Sequence, residues 1–246
     1  MNSPICVFDA DGNEVIWQLG RSMRRISGSL IKTKAYNTVY KRFIKNQDNV
    51  FIRKSSDNYF GYAPVEREHN GRNIFIGNNG LQINGDLTVD PTFLAKIILH
   101  EGLHQKYQMI HDEGMTSRYP TLSRHMYYDK IMKNYEGEHE TMAECCIGLF
   151  VSGMKEFDKY YGTLHSDDWY NAMAWMGSLQ DSYAWFELSA SKREIYKSII
   201  DNEYYYNAYL EALANYNSNK TSRNKQLLLK AQKEVDWKLF NKTRKK

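Results

Sequence analysis

Hydrophobic and polar positions change period along this chain. Residues 50–89 hold short runs rich in β-branched and aromatic residues, NVFIR, NYFGYAPV, RNIFIG and GLQI, separated by NG and NNG turns. Such runs predict a small twisted sheet. From Asp90 the spacing lengthens. DPTFLAKIILHEGLHQKYQMIH opens with Asp90 as N-cap and Pro91 at the first helical position, and no later Pro interrupts it, which predicts one helix over residues 90–111. A second helix is expected over residues 136–154, EGEHETMAECCIGLFVSGM, where Ala143, Ile147, Phe150, Val151 and Met154 form one apolar stripe. Glu140 falls inside that stripe and His139 at its flank.

The remaining segments carry weaker patterns. ICVF and EVIWQL flank the turn DADGN and predict a hairpin near the start. That turn resembles the beginning of a calcium loop, but Glu14 stands where the obligatory Gly is needed, so it is read as a turn. KAYNTVYKRFIKN has helical spacing and is expected as a surface helix with a solvated positive face. Ala172, Met176, Leu179, Tyr183 and Phe186 keep helical spacing and predict a core stripe. REIYKSIIDNEYYYNAYLEAL continues as a helix to near Asn215, and NSNKTSRN follows as a linker. The expected fold is α+β, a small twisted sheet followed by a mostly helical body. Its expected divisions are 1–48, a hairpin and basic helix; 49–155, the core; 156–217, an aromatic-rich helical part; and 218–246, a basic amphipathic tail.

The chemistry lies in HEGLH at positions 100–104. At 3.6 residues per turn His100 and His104 stack on one helix face, with Glu101 about 100° away. Two imidazoles one turn apart can grip a zinc ion, and the adjacent carboxylate can take a proton from water beside it. With seven His in 246 residues, a chance HExxH is expected in roughly one such chain in a hundred. Phe93, Ile97 and Tyr107 share the histidine face, which places that face toward the interior.

A catalytic zinc takes three protein ligands and keeps one open position. The pattern HExxHxxGxxH would need Gly at 107 and His at 110, where this chain has Tyr107 and Ile110. His111 lies about 10 Å beyond His104 along a continuous helix. Glu140 is the preferred third ligand, because a carboxylate aimed into a core must be paired or bind a metal. His139 is the alternative ligand. Glu144, one turn after Glu140, is the candidate acceptor for the outer N–H of a ligand histidine. Glu136 and Glu138 are read as acids favoured at a helix N-terminus. Cys145 and Cys146 are taken as core.

HEGLH followed by ETMAE resembles the zincin metallopeptidases of the gluzincin type, whose ligands are two His and a Glu. The likeness covers roughly residues 72–155. It implies a zincin-like body with an active-site helix, a glutamate helix packed across one zinc ion, and a preceding edge strand that pairs with an extended peptide or protein substrate. Carried over by position, His100, His104 and Glu140 would be the ligands, Glu101 the general base and Glu144 the supporting carboxylate. The activity implied is zinc-dependent peptide hydrolysis by an endopeptidase.

Charge adds a separate feature. From Lys220 onward ten Lys or Arg stand against Glu234 and Asp236, a balance of +8, while the whole chain carries +4; the rest is therefore −4. Leu228, Ala231, Val235 and Leu239 give that tail an apolar edge, suited to a protein partner or an acidic surface. No nucleic-acid recognition motif accompanies it. The 112–135 connector is long enough to cover the cleft as a lid, which would bring His125 and Tyr127 to it, but such residues are more often simply surface and are given little weight. No membrane span or signal peptide is evident, and three Cys fit a reducing compartment, so the cytoplasm is the expected location. The heavy use of Asn, Lys, Tyr and Ile fits an AT-rich genome, and the competing expectation is a bacteriophage virion or assembly protein that keeps a zincin scaffold, catalytic or not.

Overall fold

The computed structural model describes residues 5–8, 20–46, 49–55, 60–64, 67–68, 71–77, 87, 89–118 and 135–244. The fold is α+β. The strands are β1 (Ile5–Phe8), β2 (Asn49–Lys54), β3 (Gly61–Tyr62), β4 (Arg67–Glu68) and β5 (Gly71–Ile76), in the order β1-β2-β5-β3 with β4 also paired to β5. β1 runs parallel to β2, and β2 parallel to β5, with Val50 opposite Arg72 and Ile52 opposite Ile74. β3 and β4 are antiparallel to β5. Among the described residues β1 therefore finds its partner across a crossover and not in a hairpin. The second half of the expected hairpin, EVIWQL, lies outside the described residues, as do GLQI, His125 and Tyr127.

The crossover consists of α1 (Gly20–Leu30) and α2 (Lys34–Asn46). Met23, Ile26 and Leu30 bury one face of α1, and Ala35, Tyr36, Val39, Tyr40 and Phe43 bury one face of α2. Thus α2 is half core, and its basic residues occupy only the outer face. Val50, Ile52, Ile74 and Ile76 supply the sheet's buried side, the alternation expected of strands covered on one face.

Through the middle of this core runs α3 (Pro91–Arg118), longer than the sequence pattern suggested. Asp90 caps it, its Oδ1 accepting from Thr92 N–H at 2.8 Å. Next come α4 (Tyr135–Cys145) and α5 (Ile147–Tyr161), separated at Cys146. The expected single helix is thus two. Gly153 brings α5 close to α2 and α3, since a Cβ there would meet Ala35 Cβ at 2.7 Å and Leu99 Cδ1 at 3.0 Å.

The aromatic-rich region also breaks where one stripe was expected. α6 (Asp167–Trp175) ends before Gly177, whose φ of 95° suits glycine; a 3-10 turn (Ser178–Asp181) and α7 (Tyr183–Glu187) follow. The break carries Tyr183 and Phe186 out of the core, to 80% and 61% exposure. α8 (Ala190–Ser218) is followed by α9 (Ser222–Glu234) and α10 (Trp237–Thr243). Part of the tail's apolar edge turns inward: Val235 is buried, and Leu239 packs on the core. Tyr206 of α8 meets Phe240 of α10 with ring centroids 4.4 Å apart. Among the described residues no helix is long and apolar enough to cross a membrane.

A buried polar cluster ties these helices to the start of α3. His165 reaches Asp158 Oδ2 from Nδ1 at 2.7 Å and Asp90 Oδ2 from Nε2 at 3.3 Å, while Trp169 stacks on its ring at 3.8 Å. Tyr170 donates to Asp158 at 2.5 Å, and Arg244 bridges Asp90 at 3.6 Å and both oxygens of Glu203 at 2.7 Å.

Candidate metal site

Helical period does most of the positioning. His100 and His104 project from the same side of α3, and the first residues of α4 lie opposite. Among the described residues of α4 the buried positions are Glu138, His139, Met142 and Ala143, two adjacent pairs about one turn apart, which turns His139 toward α3. His104 Nε2 lies 3.2 Å from His100 Nε2 and 3.1 Å from His139 Nε2. Ligand atoms of all three lie within 4.8 Å of one another, and the residues are 8%, 0% and 7% exposed.

The separations of 3.2 and 3.1 Å suit a common metal ion. Nitrogen ligands at 2.0–2.1 Å around a tetrahedral centre would stand about 3.3 Å apart. The tautomer argues the same way. His104 Nδ1 lies 2.5 Å from Glu138 Oε2, so that nitrogen is the donor and Nε2 presents its lone pair inward. Burial pushes His100 well below the usual imidazole range and His139 down to about 4, leaving neutral rings able to ligate. Three buried histidines could therefore hold one metal ion.

The expected residues separate clearly. His100, His104 and the alternative ligand His139 are brought together. Glu140 is half-buried and turned elsewhere: its two oxygens accept the Tyr183 N–H at 3.0 and 3.2 Å. Glu144 is exposed, and the carboxylate on His104 is Glu138, which is 1% exposed. Cys145 is exposed and Cys146 buried, so only the second is core. The period of α4 alone carried the signal for Glu138 and His139. Extending the stripe of α5 back through Cys146 shifted the phase onto Glu140.

Glu101 stands at the edge of the triad. Its carboxylate accepts a backbone hydrogen bond from Ala63, just after β3, while Oε2 has no hydrogen-bond partner among the described residues. Burial pushes it up to about 7, against the pull of His104 and Lys96. β3 fits closely here because residue 61 is glycine; a Cβ there would meet Ile97 Cγ2 at 2.5 Å and Glu101 Cγ at 2.9 Å. Gln105 holds the sheet to α3 by donating to Pro64 O and Asn73 O, both at 2.9 Å. Gly102 inside HEGLH also has a packing cause. Tyr40 of α2 donates to Ile98 O at 2.7 Å, and a Cβ on residue 102 would meet its ring carbon Cζ at 2.6 Å.

A cavity of about 210 Å³ opens beside the triad, lined by Phe60, Phe93, Lys96, Glu101, Met176 and Ser178 among others. Ser178 Oγ lies 3.1 Å from His139 Nε2. Neither Lys96 nor Ser178 was singled out from the sequence; Lys96 stands one turn before His100 and carried that signal in its spacing. The class defined is an α+β protein with a buried three-histidine cluster beside a carboxylate. Comparison with protein-family models, curated proteins and solved structures finds no match in any of the three.

Proposed function

We propose that the protein is a zinc-dependent peptidase, an endopeptidase acting on extended peptide or protein chains. The observation that carries the proposal is the convergence of three histidine Nε2 atoms beside Glu101, whose Oε2 has no hydrogen-bond partner among the described residues. His100, His104 and His139 would hold the ion, with Glu138 orienting His104. Zinc held there supplies a Lewis acid that polarises a scissile carbonyl and acidifies water. Glu101 takes the proton from the attacking water at its free oxygen and returns it to the departing nitrogen. Ala63 N–H secures the carboxylate for that task. β3, at the edge of the described sheet opposite β1, is the strand read as meeting a substrate backbone, which selects extended chain.

The test is hydrolysis of a peptide mixture by the zinc-loaded protein beside Glu101→Gln. A loss of about 10²- to 10⁴-fold is expected from removing the base. Equal cleavage by the variant would remove the mechanism. Zinc retained without turnover of any peptide would make the triad a structural centre instead.

A further inference from the structure

We propose that Lys96 receives a carboxylate of the substrate, so that the site selects peptides with an acidic group beside the scissile bond. The inference rests on the peptidase reading for its biological meaning, but the receptor itself can be tested apart from it.

Lys96 lies on the histidine face of α3, one turn before His100, and is 3% exposed. Its Nζ donates to Met176 O at 2.9 Å. An ammonium has three N–H donors, and the carbonyl is its one hydrogen-bond partner among the described residues. The Phe93 and Phe150 rings stand 5.9 and 5.5 Å from Nζ and offer only their faces. A buried cation with donors left over is costly unless something pairs with it.

The cavity fits such a partner. Phe60, Phe93, Ile97 and Met176 give it apolar walls, and Lys96 is the one cationic side chain among its lining residues. At about 210 Å³ it is below the roughly 300–1,000 Å³ of clefts that enclose whole drug-sized molecules. One side chain or one chain end is the size it suits, with methylenes against the rings and an anionic head at Nζ. A divalent ion on the triad plus Lys96 would outweigh the two carboxylates Glu101 and Glu138, so the loaded cavity would carry surplus positive charge. Burial lowers Lys96 to about 8, which still leaves the ammonium at neutral pH. Aspartate or glutamate side chains and a terminal α-carboxylate share this chemistry.

Binding to the full chain, zinc-loaded and metal-free, separates the sources. The probes are N-acetyl-glutamate N-methylamide, its glutamine counterpart, and N-acetyl-glutamine with a free α-carboxylate, each titrated calorimetrically. At least one acid should bind about ten- to a hundredfold more tightly than the neutral amide, the range expected of a hydrogen bond to a charged group. The metal-free protein removes capture of the acid by zinc. Lys96→Met should erase the preference and Lys96→Arg should keep part of it. Equal binding of all three probes, no binding of either acid at millimolar concentration, or a preference that survives Lys96→Met overturns the proposal. If Lys96→Met does not fold, Lys96→Gln is read in its place. Discrimination without peptide cleavage would sink the peptidase reading and leave the receptor standing; cleavage without discrimination would do the reverse.

Discussion

Nδ1 of His104 lies 2.5 Å from Oε2 of Glu138, with both side chains at most 1% exposed. This contact fixes the tautomer of the innermost histidine of the triad. Glu138→Gln should therefore weaken zinc binding about 10- to 100-fold. Competition with a chromophoric chelator measures it, and an unchanged affinity would mean that Glu138 does not support the ligand.

Two neighbours on α4 should behave oppositely. His139→Ala removes one of the three converging nitrogens and should lose most of the zinc. Glu140→Ala should keep it, with a stability loss of about 0.5–2 kcal/mol from the Tyr183 N–H left without its acceptor. Elemental analysis of both purified variants decides the matter. Zinc lost from Glu140→Ala and kept by His139→Ala would reinstate the glutamate as ligand.

The parts of the fold legible in the sequence are those where one local cause suffices. Asp90 and Pro91 start α3 by capping chemistry, and the spacing of His100 and His104 places them together whatever surrounds them. The β-rich runs of residues 50–76 likewise announce strands. What stayed hidden depends on breaks and on distant partners. Cys146 separates α4 from α5, so a phase carried from one to the other put Glu140 inward when the period of α4 turns Glu138 and His139 there. Gly177 interrupts the run from Ala172 to Phe186, which sends Tyr183 and Phe186 to solvent. The parallel pairing of β1 with β2 joins residues more than forty positions apart and has no local signature. Lys96 looked like an ordinary helix lysine until Phe93, Phe150 and Met176 closed around it.

Gly102 can be tested independently of metal chemistry. Gly102→Ala removes backbone freedom from the unfolded chain but drives a methyl group into Tyr40 and Val39. The steric term should win, with a net loss of about 1–3 kcal/mol. Urea denaturation beside Gly102→Ala/Tyr40→Phe, which removes the closest atom, tests the cause: the double variant should regain part of the loss.

The polar cluster at the start of α3 predicts how stability varies with pH. Burial disfavours a charged His165, but hydrogen bonds to Asp158 and Asp90 outweigh it and raise the imidazole to about 9. Its contribution is full below the unfolded value near 6.5 and is lost as pH rises through 9. Asp90 runs the other way. Burial opposes its charge, yet His165 and Arg244 hold it at about 2, so its contribution is present above about 3.8 and lost as pH falls toward 2. Among the described residues the other ionisable groups that interact with this cluster include Asp158, Tyr161, Tyr170, Glu203, Tyr206 and Arg244. Urea midpoints at about pH 6 and about pH 9 should converge between wild type and His165→Gln at the higher pH. A gap of constant size would show that the ring does not titrate as described.

The bond from His165 to Asp90 spans 75 positions, and the contact from Arg244 to the same carboxylate spans far more. A ribosome releases the chain from its N-terminus, so all three histidines of the triad emerge before either cation that steadies the first turn of their helix. The newborn chain thus presents all three histidines while the first turn of α3 is still unsecured. Of the residues that meet at this end of the molecule, the three histidines are made first and the cations that anchor their helix last.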